Sequence, residues 1–266
     1  MLAYMERLKR EGMTPATLKQ MIDEHKADRE RMVNLYERYK AEIDGVPILK
    51  RKPIEYEDFE TGAVKRIDNK VNNTLNNSFD AEIVDTKVGY MFGHPISYVG
   101  DKDENDPERK SALQLMLDEF LLRNKAEDED SEWGKMAAIC GMATRLAYID
   151  KDGKERVKNI NPWECIILGD DLTEPDGAIR YYSIFDGAKE TKKAEYYDGD
   201  NVTYYSSGED GAYQEVRKEA NIYDDCPLFG LPNNAELKGD AEKVMFLIDA
   251  YDRTLSDASN EIEQYR

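Results

Sequence analysis

Histidine, cysteine and long apolar runs are scarce in this sequence, and each scarcity closes off a class of function. Two histidines leave little material for general-base catalysis or a histidine-rich metal site. Three cysteines, Cys140, Cys165 and Cys226, are odd in number and lack Cys-x-x-Cys spacing. A disulfide framework or a zinc site is therefore not expected, and reduced, buried thiols in a cytosolic protein are. No apolar run approaches the roughly 20 residues of a membrane span. The first residues, Met1-Leu2-Ala3-Tyr4-Met5-Glu6-Arg7, lack the uninterrupted apolar stretch of a signal peptide. No Gly-x-Ser-x-Gly, His-Glu-x-x-His or Walker-type loop occurs. Basic residues are also in deficit: 37 Lys and Arg stand against 56 Asp and Glu, a formal charge of -19. Tight nucleic-acid binding needs clustered cations to displace counterions, so this balance argues against it. A duplex can still pass close by, because a repelling surface guides without trapping.

What the chain does hold is enough apolar material for a core, 40% of 266 residues, in a polar background with 35% charged residues and mean hydropathy -0.76. Thr14 followed by Pro15 marks a helix start. Leu18, Ile22, His25, Arg29, Met32, Tyr36, Tyr39 and Ile43 then follow at helical steps, and Asp44-Gly45-Val46-Pro47 stops them. The basic run Lys50-Arg51-Lys52 and the acids after it read as an exposed connection. A second helical region, from about 66 to 92, places Ile67, Val71, Leu75, Phe79 and Ile83 four apart, with Ser78 and Asp80 as a possible division. Gly93, able to take a left-handed cap, and Pro95 end it. Ile96-Ser97-Tyr98-Val99 reads as a short strand, Asp106-Pro107 as a cap leading into Leu113, Met116, Leu117, Phe120 and Leu121, and 130–140 as a further helix.

From Met142 the pattern alternates. Turn signals at Asp150-Lys151-Asp152-Gly153-Lys154, Asn161-Pro162, Gly169-Asp170-Asp171, Asp186-Gly187, Asp198-Gly199 and 207–211 separate strand-like runs at 164–168, 179–185, 193–197, 202–205 and 213–217. The expected class is α+β: a helical N-terminal half, an antiparallel β region in the middle and a long C-terminal helix. Gly239-Asp240 reads as the cap of that helix. Its apolar positions, Val244, Ile248, Tyr251, Leu255, Ala258, Ile262 and Tyr265, keep a four-three spacing suited to lengthwise packing on a neighbouring helix. No stop signal precedes Arg266, so the sequence reads as a fragment whose helix continues. The units expected are 1–65, an N-terminal helix and exposed connection, 66–238, an α+β domain, and 239–266, the helix.

Chemistry-bearing constellations are weak. His25 lies on a helix stripe and reads as structural, and His94, between Gly93 and Pro95, reads as part of a turn. Asp101-Lys102-Asp103-Glu104-Asn105 approaches a calcium loop but has Asp106 where glycine is needed and Ala112 where a clamping glutamate belongs. The paired tyrosines Tyr181-Tyr182, Tyr196-Tyr197 and Tyr204-Tyr205 lack interleaved cations, so they fit a half-buried sheet better than a base-stacking platform. No catalytic, cofactor-binding or metal-binding set emerges, and no cofactor is expected.

Three blocks resemble the portal (head-to-tail connector) family of long-tailed phages infecting Gram-positive hosts. The first runs from Asn73-Thr74-Leu75-Asn76-Asn77-Ser78-Phe79 through Ile83-Val84-Asp85-Thr86-Lys87-Val88-Gly89-Tyr90-Met91-Phe92-Gly93-His94-Pro95-Ile96. The second is Gly141-Met142-Ala143 through Tyr148-Ile149-Asp150-Lys151-Asp152-Gly153 to Ile160-Asn161-Pro162. The third links Leu231-Pro232-Asn233-Asn234, Gly239-Asp240, Leu247-Ile248-Asp249-Ala250-Tyr251-Asp252, Leu255-Ser256-Asp257 and Asn260-Glu261. The third is the most specific, and together they span roughly residues 66–266. The resemblance implies a structural, non-catalytic subunit of a homo-oligomeric ring through which double-stranded DNA is packaged and ejected. Residues 66–238 would form its outward wing and 239–266 the first stem helix. It further implies capsid, scaffolding, terminase and adaptor proteins as partners, DNA that passes without tight binding, no membrane, and a life in the host cytoplasm before the virion. The family's clip, second stem helix, tunnel loop and crown have no counterpart in these residues. Two other classes fit the composition: an unrelated interaction scaffold, marked by failure to close a ring, and a carboxylate-metal nuclease, marked by divalent-dependent cleavage.

Charge alone generates one prediction. Duplex DNA should bind weakly or not at all at about 150 mM salt, since Lys50-Arg51-Lys52 can support only a shallow salt slope. Fluorescence anisotropy with a labelled duplex checks it; micromolar affinity abolished by replacing those three residues would overturn it.

Overall fold

A computed structural model of the protein describes residues 8, 10–53, 55–57, 64–66, 71–100, 111–208 and 211–265. Helix α1 (Pro15–Glu24) begins as its sequence predicts. Thr14 Oγ1 accepts a hydrogen bond from the Thr17 amide at 3.2 Å, and Pro15 fills the first turn, where a missing N–H costs nothing. The single stripe expected to run on to Ile43 is instead two helices. The chain turns at His25, whose Nδ1 lies 2.8 Å from the Tyr181 hydroxyl, and resumes as α2 (Lys26–Tyr39). The region after α2 is more structured than an exposed connection. Pro47–Lys50 form a 3-10 turn with Val46 and Ile48 buried, and β1 (Glu55–Glu57) pairs antiparallel with β2 (Val64–Arg66).

The helix expected from residue 66 starts only at Phe79. Residues 71–78 are irregular, and α3 (Phe79–Phe92) opens behind Ser78, which sits at φ +53° with its amide donating to Asn76 Oδ1. Four asparagines in Val71-Asn72-Asn73-Thr74-Leu75-Asn76-Asn77-Ser78 explain the outcome, because their amides compete with a helical backbone for hydrogen bonds. Gly93 does end α3, but at φ -64° and not in the left-handed region. Residues 96–99 form no strand. Helix α4 (Ala112–Asn124) is capped by Ser111, whose Oγ accepts from the Gln114 amide at 3.1 Å. The Asp106-Pro107 cap and the calcium-like loop at 101–105 lie outside the described residues. Lys125, at φ +51°, joins α4 to α5 (Ala126–Cys140), whose first turn carries Glu127, Asp128 and Glu129 at the positive end of the helix dipole.

Gly141, at φ +90°, ends α5 and starts the β region. A three-stranded antiparallel sheet orders β10 (Leu228–Pro232), β3 (Met142–Ile149) and β4 (Glu155–Ile160). A five-stranded antiparallel meander follows chain order: β5 (Cys165–Leu168), β6 (Gly177–Asp186), β7 (Lys189–Asp198), β8 (Asn201–Ser207) and β9 (Tyr213–Ala220). The turn signals act as their chemistry requires: Asp150 Oδ1 accepts from the amides of Asp152 and Lys154, and Asp198 Oδ1 from those of Asp200 and Asn201. Strand β10 is not apparent in the sequence. Leu228-Phe229-Gly230-Leu231-Pro232 holds a glycine and a proline, which the structure accepts at a sheet edge.

Two cores hold these layers together. In one, Leu18 and Met21 of α1 pack on Leu168, Ile179, Tyr181, Ala194, Tyr196, Tyr205 and Tyr213 of the meander. In the other, Met32 and Leu35 of α2, Val84 of α3 and Ala138, Ile139 and Cys140 of α5 meet both sheets around Cys165, Ala178, Tyr197 and Leu228. The mixed α+β class stands, and most of the paired tyrosines are core residues of the meander. All three cysteines are free and buried, and burial pushes each thiol up to about 12.

His25 makes the fold sensitive to mild acid. Burial lowers its pKa from 6.5, an effect larger than the upward pull of Asp28, so the unfolded chain takes up the proton first. Stability is then fully present above about pH 6.5 and falls as pH drops through the lower folded-state value. Urea titrations between pH 7.5 and 5 should show this loss, and His25→Gln should reduce its steepness.

Candidate interaction surface: the C-terminal helix and its polar strap

The C-terminal helix is aimed by the turn that precedes it. Residues 233–240 cross the end of α5 so closely that two glycines are obligatory. A Cβ on Gly141 would lie 2.1 Å from the Leu237 carbonyl oxygen, and one on Gly239 2.2 Å from that of Ile139. The crossing is fixed by Asn233 N donating to Gly141 O and Asp240 N to Ala138 O. Asp240 does not cap the helix as its sequence suggests. Its Oδ1 accepts from Lys87 Nζ and Asn233 Nδ2, and the Gly239 amide donates to Glu242 Oε2. A 3-10 turn (Glu242–Val244) leads into α6 (Met245–Gln264).

Helix α6 turns a largely polar side inward. Its buried residues are Ile248, Asp252 and Ser256. Opposite them runs the strap formed by residues 71–78. Asn73 N donates to Asn260 Oδ1 at 2.6 Å, Leu75 N to Ser256 Oγ at 3.0 Å and Asn77 N to Asp252 Oδ1 at 3.2 Å. Asn73 Nδ2 donates to Ser259 Oγ and Glu263 Oε2, and Asn77 Nδ2 to Asp252 Oδ1 at 2.5 Å. Alternate residues of an extended chain advance about 6.6 Å and four helical residues about 6 Å, so three rungs match with little strain. Side chains on α6 thus do for the strap what a neighbouring strand's carbonyls do in a sheet.

Arg38 of α2 locks this assembly from below. With 3% of its side chain exposed, it pairs Nε and Nη2 with Asp80 of α3 at 2.9 and 3.1 Å, and Nη1 with Asp249 of α6 at 2.8 Å. Burial alone would lower its pKa; the two carboxylates more than offset that, and the net shift is upward. Further ion pairs run from Arg31 to Glu242 at 2.9 Å and from Arg51 to Asp257 at 2.6 Å. One member of the basic run is thereby held within the chain.

Of the residues read as a seam, only Ile248 is buried. Val244, Tyr251, Leu255, Ala258, Ile262 and Tyr265 are exposed, Ile262 at 68% and Tyr265 at 91%, although the Tyr251 ring lies 5.5 Å from that of Phe79. The helix therefore satisfies its polar side within the chain and presents its apolar stripe outward. His25 and His94 lie apart, the first at the α1–α2 turn and the second exposed after α3. Among the described residues, no group of three His, Cys, Asp or Glu side chains is placed to hold a metal, and no helix is long and apolar enough to cross a membrane.

The family described as "Phage portal protein, SPP1 Gp6-like" matches residues 18–266. The chain belongs to this family. It is similar to the portal protein of Bacillus phage SPP1, at 26% identity over 94% of this chain and 50% of the relative. It is also similar to the portal protein of Clostridium phage phiCD119, at 24% identity over 72% of this chain and 45% of the relative. The chain spans about half the length of these portal proteins. Parts of two blocks that carry the portal resemblance, 73–79 of the first and 247–252, 255–257 and 260–261 of the third, contain most of the strap and the helix positions it binds. The apolar spacing of α6 draws the eye in the sequence and hides Asp252, Ser256 and Asn260, a polar spacing of four that is equally visible.

Two substitutions test this anchorage. Arg38→Met strands two buried carboxylates and should cost about 3–5 kcal/mol in a urea melt. Asp252→Ala removes the acceptor of the Asn77 amide and should cost about 1–3 kcal/mol. Hydrogen exchange at the amides of Asn73, Leu75 and Asn77 should accelerate in the second variant, while the meander stays protected.

Proposed function

We propose that this chain supplies the wing (66–238) and first stem helix (239–266) of a phage portal subunit, a structural part of a closed ring through which double-stranded DNA is packaged and ejected. The observation that carries the reading is the inverted disposition of α6. A helix whose polar side is consumed by Arg38 and the strap, and whose apolar stripe faces water, gains stability only from a neighbour. A ring gives every subunit one. The family membership points the same way, and the net charge suits a duplex that must slide, since repulsion between an acidic surface and phosphates prevents arrest. Capsid, scaffolding, terminase and adaptor proteins are the partners that this role requires. Assembly in the host cytoplasm would precede residence at a capsid vertex. No catalytic step is assigned to the subunit.

The test is Leu255→Asp in the full-length protein. An unpaired carboxylate in a helix–helix contact costs on the order of several kcal/mol, so light scattering after size exclusion should show lost assembly with unchanged far-ultraviolet circular dichroism. Ring formation at wild-type concentration, seen by negative-stain microscopy, would count against the stripe.

A further inference from the structure

A head-to-tail ring needs two different faces on every subunit, each fitting the other. Two such faces lie on different elements, one past the C-terminal end of α3 and one on the first turns of α6. The first is a cleft of about 470 Å³ between residues 96–98 and the α4–α5 corner. It is lined by Ile96, Tyr98, Leu121 and Leu122, the last 81% exposed, and by Glu127 and Asp128, with Lys125 as the cation in the lining. The cleft is preformed. Tyr98 donates its hydroxyl to Asp130 at 2.5 Å, Asp130 is held by Arg145 at 2.7 Å, and the Gly100 amide donates to Gln114 Oε1 at 2.6 Å.

The start of α6 carries Phe246 and Leu247, 77% and 71% exposed, flanked in sequence by the exposed cations Lys243 and Arg253. The acids of this stretch, Asp249 and Asp252, are turned inward to Arg38 and Asn77. In a chain of charge -19, the outward face of these turns is cationic and apolar. An apolar pair beside cations complements an apolar lining beside acids in polarity and in sign.

We propose that Phe246 and Leu247 of one copy seat in the α4–α5 cleft of the next, with Lys243 and Arg253 facing Glu127 and Asp128. This rests on the ring reading above insofar as the two copies are successive subunits. The contact is separate from the Tyr251–Tyr265 stripe and uses no residue of the strap.

Two double variants of the full-length protein test it: E127K with D128K on the cleft, and K243E with R253E on the knob. Sedimentation velocity should show each variant alone requiring at least about tenfold higher concentration to associate. A one-to-one mixture of the two should recover wild-type association, because each cleft then meets a knob of opposite sign, and so should the quadruple variant. Recovery also shows that the variants fold. Unchanged association of either double variant overturns the proposal, as does a loss that mixing does not repair. If wild-type protein forms no closed ring in negative stain, the ring reading fails, while recovery on mixing still decides the knob–cleft pairing.

Discussion

Arg38 is the constraint on which the architecture turns. One buried guanidinium holds carboxylates from α3 and α6, and α2, which carries it, packs Met32 and Leu35 into the larger core. Three helices distant in sequence are thereby set relative to one another by a single planar, multidentate cation. A lysine could not replace it, because a point charge cannot serve two carboxylates from a fixed fork. Everything outward of this node follows: the angle of α6, the line along which the strap lies, and the side of α6 that faces water.

The two most deeply buried polar residues of α6 are both partnered. Asp252 and Ser256 are fully enclosed, and both are hydrogen-bonded to the strap; Ser256 also donates to the Asp252 carbonyl at 2.7 Å. Such a network specifies one partner geometry where an apolar contact would tolerate several. That contrast separates the two sides of α6. The polar side is committed within the chain to one register, and the apolar side is left exposed to water.

The β region is legible in the sequence because turns and alternation are local. Asp150, Asp198 and the glycines beside them bend the chain by bonds to residues two to four positions away, and all five runs that read as strands after 164 form the meander. What is illegible depends on distant partners. The spacing of Val71, Leu75 and Phe79 is a case in point: it suggests a helix, yet the asparagines between them find acceptors on a helix more than 170 residues away. His25 falls on a helical stripe, and nothing local announces that Tyr181 will take its imidazole. The seam on α6 is visible, but its buried side cannot be assigned until Arg38 and the strap are in place.

The ladder between strap and helix also behaves as a keyed lock. If α6 slid by one turn so that Asn77 faced position 248, the side chain there would be Ile248, which offers its amide no acceptor. Sliding the other way keeps an oxygen at every rung, since Ser256, Asn260 and Gln264 would come into line. That slip, however, brings Arg253 to the place of Asp249 and sets two cations against each other at Arg38. One direction is blocked by a missing acceptor and the other by like charge, so an axial load on the helix meets a stop either way.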